Sequence, residues 1–234
     1  MSAKDRKTAL LDHLKRSILT LELAPGSDLD EVALCDAFNL SRTPVREVFR
    51  ELDGLGYIEL REHRGARVAE LSHTTLRDFF LAAPMVYGAI MRLAARNARP
   101  NQIAALERAQ EDFRAALRGG NVAERALANN RFHEVTGDMA ANIYLLPSFH
   151  RLLIDHARIG MTFYQPQNGD MASNLSEASR QHDDIIDAVR NRDEGSAAQL
   201  AEEHWALSRN QIELYVMPAA IDVPLGELSR KHSA

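Results

Sequence analysis

The stretch NLSRTPVREVFRELDGLGYIELREHRGARV, residues 39–68, decides how the first part of this chain folds. Its first half repeats apolar residues at the spacing of a helix, which predicts a helix over about residues 42–54. Ser41 precedes that helix as a candidate N-cap, and Pro44 falls in its first turn, where a missing N–H is harmless. The side chains expected to form the buried stripe are Val45, Val48, Phe49 and Leu52.

The second half of the stretch predicts a β-hairpin, which begins after Gly54 and Gly56 end the helix. Two short alternating runs, YIELRE and ARVAEL, flank the tripeptide HRG at the expected tip. Upstream, apolar spacing predicts two more helices over about residues 5–22 and 30–38, separated by a Pro-Gly turn. Three helices followed by a two-stranded wing is the order of a winged helix-turn-helix domain, whose third helix enters the major groove of DNA.

Three arginines explain why this helix suits DNA. Arg42, Arg46 and Arg50 recur every four residues, so they share one helix face. A guanidinium can bridge guanine O6 and N7 or bind a phosphate, and the Ser41 hydroxyl and the first helix amides can hold another phosphate. Arg64, at the hairpin tip, can enter the adjacent minor groove. The alternative is a solvated face paired with glutamates of the same helix; the combination of capped helix, tight turn and hairpin favours DNA.

Composition bounds the class of protein. The chain has 234 residues, of which 45% are apolar, as is typical of two domains with substantial cores. The net charge of -5 argues mildly against nucleic acid, but phosphate contacts are local, so the placement of arginines matters more. The N-terminus lacks an apolar signal segment, no run approaches the ~20 apolar residues of a membrane span, and Cys35 is the single cysteine. We therefore expect a cytoplasmic protein with no membrane partner.

The pattern is purely helical from about residue 72 onward. The expected fold is mainly α, with a winged helix-turn-helix over residues 1–71, an all-helical bundle of about six helices over residues 72–217, and a polar tail over residues 218–234. Residues 164–173 form the longest predicted loop of the bundle. Its helices are expected near residues 74–97, 100–118, 121–141, 145–163, 174–192 and 194–216.

Three histidines of the bundle point to a ligand site. His133, His182 and His204 lie on three different predicted helices, each within an apolar stripe, so all three are expected to face inward. Three inward imidazoles can converge on one metal ion and leave positions open for water or a ligand. Such a centre would also suit a hydrolytic enzyme, but no HExxH motif or nucleophile elbow accompanies it. A single histidine on an apolar face is more often a hydrogen-bonded core residue.

The segment LDEVALCDAFNLSRTPVREVFRELDGLGYIELREHRGARVAEL resembles the DNA-binding domain of GntR-type bacterial transcription regulators. Its signature is SRTPVRE followed by L..LGYI......G..V. One departure is Val32, where some relatives carry an arginine, so one base contact is expected to be missing. A homodimer on a near-palindromic operator is expected, because one helix reads only a few base pairs. The resemblance implies main contacts with double-stranded DNA from Arg42, Thr43, Arg46, His63 and Gly65, and secondary contacts from Ser41, Arg50 and Arg64.

The C-terminal half is similar to the all-helical FCD effector domain of the FadR-like GntR branch. In many members, an aspartate four residues before a histidine binds a divalent metal, often zinc, together with two later histidines. NNRFH, SRQHDDIIDAV and AEEHW match these elements, so the resemblance implies a metal site at Asn129, His133, His182 and His204. Asn129 stands where the aspartate is usual, and its amide oxygen lacks the charge of a carboxylate, so metal binding is expected to be weakened.

The histidine pocket leaves two alternatives open. Either the histidines hold zinc or nickel and an anionic effector supplies the missing negative ligand, or they bind an anionic effector directly. Relatives usually carry arginines where Ala83 and Pro84 stand, and Arg158, His150 and Tyr164 are the candidate replacements for gripping the effector. We expect a transcription repressor that a small molecule releases from DNA, and not an enzyme. The alternative is a metal-dependent hydrolase or a metal sensor that uses the same histidines.

Overall fold

The computed structural model describes residues 2–62, 65–119, 121–165 and 169–216, apart from the side chains of 170, 171 and 210–216. The polar tail predicted over residues 218–234 lies outside these ranges. Within them, the first part contains α1 (Ala3–Leu19), β1 (Asp28–Leu29), α2 (Glu31–Phe38), α3 (Arg42–Leu55), β2 (Ile58–Arg61) and β3 (Gly65–Val68). The second part contains α4 (His73–Asn97), α5 (Pro100–Gly119), α6 (Val122–Ala140), α7 (Leu146–Phe163), α8 (Gly169–Arg190) and α9 (Glu194–Val216).

Local signals at the helix ends account for differences from the sequence-based bounds. Helix α1 starts at Ala3 because Ser2 and Asp5 form a capping box, and it ends before Leu21, whose φ of 59° is left-handed. Helix α3 runs through Gly54 and ends at Gly56, which adopts a φ of 86° as the C-cap. The sequence prediction therefore placed the end of α1 too late.

The wing contains one strand more than the sequence predicted. Strand β1 has only two residues and pairs with the middle strand β3, so the order is β1-β3-β2. The Arg67 Nε donates a hydrogen bond of 2.8 Å to Asp28 Oδ1 across this pair. A two-residue strand is too short to show alternation, and long-range pairing alone defines it.

The predicted stripe of α3 lies in the core of the first part. Val45, Val48, Phe49 and Leu52 are at most 2% exposed, and they pack with apolar residues of α1 and of the wing. Burial of each such side chain stabilises the fold by about 1.5–3 kcal/mol. The opposite face of α3 is thereby fixed toward solvent.

The second part is a bundle in which α4 packs against α6, α7 and α9. Helix α4 is long and apolar enough to cross a membrane by length and composition, but its buried side, including Tyr87 and Ile90, belongs to the bundle core. Helix α8 begins at Gly169, so the loop predicted over residues 164–173 was wrong from residue 169 onward. The Gly, Asn and Asp residues there suggested a loop, but the following Met and Ala are good helix formers.

The two parts are in contact through α7. Leu19 of α1 packs in one buried cluster with Ile154 and Ala157 of α7, and the Tyr57 side chain lies against that cluster. Arg151 of α7 approaches Gly56 at the end of α3. The helix that borders the first part is therefore also a core helix of the bundle.

Candidate functional sites

The first site is the outward face at the start of α3. Ser41, Arg42, Thr43, Arg46 and Arg50 are all exposed there, because the apolar stripe occupies the other side of the helix. Ser41 is the N-cap residue in extended conformation, but its hydroxyl makes no capping hydrogen bond among the described residues. The hydroxyl and the first helix amides therefore remain available to an oxyanion, as the positive end of a helix dipole favours.

The arginines pair with a different helix from the one considered in the sequence analysis. Arg46 Nε lies 3.1 Å from both carboxylate oxygens of Glu31 on α2, and Arg42 Nε lies 3.8 Å from Glu31 Oε1. Glu47 of α3 instead pairs with Lys7 of α1 at 2.7 Å. Glu31 thus pairs with two guanidinium groups, so an oxyanion that approached this face would compete with its carboxylate for them.

The wing supplies one described residue of the predicted DNA contacts. Gly65 is exposed at the start of β3 with a φ of +77°, a conformation in which a side chain would be strained. The predicted contacts His63 and Arg64 lie outside the described residues. On α2, Val32 is 53% exposed, so the position where some relatives carry arginine is open to solvent.

The second site lies within the bundle, where α6, α8 and α9 bring three buried histidines together. One ligand atom from each of His133, His182 and His204 lies within 4.8 Å of the others. The Nε2 atoms of His182 and His204 are 3.2 Å apart. Two nitrogens bound to one tetrahedral zinc ion are separated by a similar distance, about 3.3 Å.

A buried glutamine determines which nitrogen of His182 carries hydrogen. The Nε2 group of Gln110 donates to the carbonyl oxygen of Ser179 at 2.7 Å and to Asp183 Oδ1 at 3.1 Å. The Gln110 Oε1 atom therefore accepts, at 2.9 Å, a hydrogen bond from His182 Nδ1. The Nε2 atom of neutral His182 is left with a bare lone pair that faces His204.

His204 is oriented in the same way from the other side. Gln181 Nε2 donates to Glu177 Oε1 at 3.1 Å, so Gln181 Oε1 accepts from His204 Nδ1 at 3.1 Å. Both facing Nε2 atoms are consequently acceptors without a hydrogen between them. Two lone pairs at this separation repel each other unless a cation binds both. Histidines that ligate a metal through one ring nitrogen and donate from the other to an oxygen acceptor have this arrangement.

His133 and Asn129 contribute further unpaired groups one helical turn apart on α6. Asn129 is 3% exposed and His133 is 2% exposed. Within the described part of the chain, Asn129 Oδ1 and both ring nitrogens of His133 have no hydrogen-bond partner. Leaving a buried polar atom unpaired costs about 1–3 kcal/mol, so this residue set fits a bound ion better than a closed core.

Burial also sets the protonation state of the cluster. It lowers the pKa of His133 and His182 well below the usual value, and neighbouring histidines lower both further. Burial lowers the pKa of His204 to about 3. All three rings are therefore neutral near pH 7, which is the form that ligates a metal.

A fourth histidine, His156 of α7, lies beside the cluster and was missed in the sequence analysis. Its ring centroid is 5.1 Å from that of His133, and its Nδ1 is 2.8 Å from the hydroxyl of Tyr87. Leu153 and Ile159 flank it at helical spacing, which is the signal that identified the other three histidines.

The predicted effector-gripping residues lie in three different environments. Arg158 bonds to Asp155 Oδ1 at 2.9 Å and to the carbonyl oxygen of Ala69 at 2.7 Å, in the contact between the two parts. Tyr164 is buried against Phe113, whose ring lies 4.9 Å from that of His182. His150 is exposed in a crevice between the parts. Tyr164 is thus separated from the histidine cluster by the single ring of Phe113, whereas the ring contacts from His150 reach it only through both Phe149 and Tyr87.

The fold and these two sites together define a regulator with a winged-helix DNA-binding part and a helical sensor bundle. Residues 7–68 match the bacterial regulatory proteins of the gntR family, and residues 85–207 match the FCD domain. The second match alone spans more than half of the chain. The chain belongs to the GntR family of bacterial regulatory proteins, in the group that carries an FCD domain. This membership confirms the predicted family and the prediction of a transcription regulator rather than an enzyme.

Individual relatives agree with this assignment. The chain is 30% identical over 199 residues to the probable D-xylose utilization operon transcriptional repressor of Paenarthrobacter nicotinovorans, covering 82% of this chain and 84% of the relative. It is 28% identical over 193 residues to the transcriptional repressor RspR of Escherichia coli, covering 82% of each chain. The solved structure of E. coli McbR/YncC superposes with a TM-score of 0.74 at 19% identity, covering 92% of this chain and 98% of that one, which confirms the predicted fold class.

Proposed function

We propose that this regulator is a repressor that a small anionic molecule, bound at the histidine cluster, releases from a near-palindromic operator. Two relatives that carry the word repressor in their names, each covering more than four fifths of the chain, support the sign of regulation. The exposed face of α3 supports base and phosphate contacts from Ser41, Arg42, Thr43, Arg46 and Arg50, with Gly65 and the wing tip His63 and Arg64 beside them. The protein would act in the cytoplasm, where its DNA is.

The histidine cluster holds a divalent cation, zinc or nickel, in this proposal. The observation that carries it is the pair of Nε2 atoms of His182 and His204, 3.2 Å apart, whose lone pairs face each other because glutamines accept from both Nδ1 groups. An anion placed directly against these atoms would meet two more acceptors and be repelled. The metal-bound alternative is therefore favoured over direct binding of an anion by the histidines.

The amide at Asn129, in place of a carboxylate, favours an anionic effector. Asn129 and three neutral histidines add no negative charge, so a bound divalent ion would keep its full charge. In a buried site that charge attracts an anion strongly, because the surrounding dielectric constant is low. Tyr164, which the single ring of Phe113 separates from the cluster, is the candidate for contacting the organic part of the effector.

The outer face of α4 supports a homodimer. Leu81 and Met85 lie one turn apart on α4 and are 68% and 72% exposed. Less than half of the apolar window of this helix is buried within one chain. An apolar helix face of this kind is usually covered by a partner, and two-fold pairing would supply the second half-site contact. We also propose that the boundary between the DNA-binding domain and the helical domain lies between residues 71 and 72.

Two measurements test this function. Native mass spectrometry of protein purified without chelator is expected to show one divalent ion per chain, lost in His182→Ala. Wild-type protein is expected to select an inverted repeat from a randomised duplex library at fixed salt. A selected repeat with no bound metal would reject the metal site alone, and an ion without any selected sequence would reject the DNA-binding assignment.

A further inference from the structure

Helix α7 contacts both the end of the wing and the histidine cluster within four consecutive residues, 155–158. Arg158, which pairs with Asp155, contacts the backbone just after the wing, whereas His156 between them contacts the histidine cluster. The same helix also buries Ile154 and Ala157 against Leu19 of α1. One rigid element therefore has a DNA-domain side and a ligand side.

The contact with the wing is a buried ion pair fastened to the backbone. The side chains of Arg158 and Asp155 are 0% and 6% exposed, and Arg158 Nη1 donates to Asp155 Oδ1 at 2.9 Å. Arg158 Nη2 donates to the carbonyl oxygen of Ala69 at 2.7 Å, one residue after β3 ends. A buried ion pair contributes little net stability compared with apolar packing, so its value lies in fixing a geometry.

A second contact reaches the end of the DNA-reading helix. Arg151 Nη1 lies 3.7 Å from Asp155 Oδ2, and the Arg151 side chain packs against Gly56, the C-cap of α3. A Cβ atom built at Gly56 would lie only 2.5 Å from Arg151 Cδ. Asp155 thus joins the arginine that contacts the end of α3 to the arginine that holds the end of the wing.

The ligand side of α7 is equally close to its site. His156 Nδ1 is 2.8 Å from the Tyr87 hydroxyl, and the Tyr87 and His133 ring centroids are 5.8 Å apart. His133 is one of the three converging histidines, and its ring nitrogens have no partner within the described ranges. A change in the position of His133 on ligand binding would therefore alter its contacts with His156 of α7.

We propose that Asp155 and Arg158 are positioning residues that transmit occupancy of the histidine cluster through α7 to the end of the wing at Ala69. The inference rests on the proposed metal site and adds a route by which occupancy of that site would regulate DNA binding. Occupancy that draws His133 toward the other histidines also shifts or rigidifies His156. The ion pair then carries this change to the backbone that sets the wing against α3. Such coupling needs a ligand that binds the two arrangements with different affinity, which a metal closing the cluster provides.

Hydrogen exchange of the full chain, with and without Zn²⁺, tests the inference. In the wild type, zinc is expected to slow amide exchange in α8 and α9 and also in residues 66–71, the latter by about 5-fold or more, as for typical coupling between sites. Replacing one charge alone would leave the other buried, so the test uses Asp155→Asn/Arg158→Met, which removes both. This variant is expected to keep the response of α8 and α9 and to lose that of residues 66–71.

Two matched variants separate transmission from general damage. Arg96→Met removes another arginine ion pair, with Glu194 between α4 and α9, and is expected to respond like the wild type. Arg158→Lys keeps a cation and a donor for Ala69 and is expected to recover part of the response. An undiminished response of residues 66–71 in the double variant, or its loss in Arg96→Met, would overturn the inference. Absence of any zinc response in wild-type α8 and α9 would instead reject the metal site itself, and the inference with it.

Discussion

The two parts of this molecule place their functional groups in opposite ways. In the first part, an ordinary apolar core holds α3 so that Arg42 and Arg46 face water, 67% and 54% exposed. In the second part, the functional side chains themselves lie in the core, and His182 is 0% exposed. A DNA-reading surface can therefore be altered without affecting the fold, whereas each change at the buried site affects binding and stability together.

The largest expected effect is the loss of DNA affinity when the exposed arginines of the first part are replaced. Arg42→Ala/Arg46→Ala should weaken binding to the selected operator by about 1–3 kcal/mol for each specific contact, because in the proposed function each change removes a guanidinium that contacts DNA. The melting temperature should stay close to that of the wild type, since both side chains are exposed. Fluorescence anisotropy at fixed salt and a thermal melt measure the two quantities.

The matched control for this pair is Arg77→Ala, which removes an arginine that is 72% exposed on α4, outside the DNA-reading face. Operator affinity that falls equally in the control would indicate a general charge effect rather than base contacts.

Acid titration of the metal-free protein should show a large effect on the buried side. Burial lowers the pKa of His156 to about 4 from the ordinary 6.5, so as pH falls the unfolded chain binds a proton first. The stability contributed by this histidine is present above about pH 6.5 and lost between there and pH 4. For His156 alone the loss amounts to roughly 3 kcal/mol, at ~1.4 kcal/mol per pH unit of pKa shift. Urea unfolding at a series of pH values measures it.

His156→Asn should reduce the slope of this pH profile by the share of one histidine, because the buried His133, His182 and His204 keep their own contributions. A profile as steep in the Asn variant as in the wild type would show that other groups control acid unfolding.

A smaller change tests the charge of the buried site. Asn129→Asp should tighten binding of Zn²⁺ by about tenfold, or ~1.4 kcal/mol, because a carboxylate adds a charged ligand atom one turn before His133. Titration calorimetry on chelator-treated protein measures the change. Asn130→Asp, at the neighbouring position on α6, is the control, and equal tightening there would mean that general electrostatics are responsible.

The smallest effect is expected from Glu31, whose carboxylate pairs with the exposed arginines of α3. Glu31→Gln removes the carboxylate that contacts Arg46 at 3.1 Å, so affinity for unrelated duplex DNA should rise by less than ~1 kcal/mol. Anisotropy at several salt concentrations checks this, because a freed arginine adds to the salt dependence. Weaker binding to all DNA would show that Glu31 instead holds the arginines in their binding orientation.

The same contrast explains what could be read from the sequence. The face of α3 follows from local spacing, because Val48 and Phe49 bury one side and leave Arg46 on the other. The inward direction of His133, His182 and His204 was also readable from apolar spacing. The roles of Gln110 and Gln181 were not, because each depends on contacts between helices far apart in the sequence. Strand β1 and the contact from Arg158 to Ala69 were missed for the same reason.

The close approach of Arg151 to Gly56 has a consequence for protein engineering. If the first part were replaced by that of another regulator, the donor module would have to bring its own glycine at this position. Any side chain there would be strained by the φ of +86° and would also collide with Arg151. A chimera whose donor module lacks this glycine should lose the packing of Arg151 against the end of α3, even with every arginine on the outer face of α3 intact.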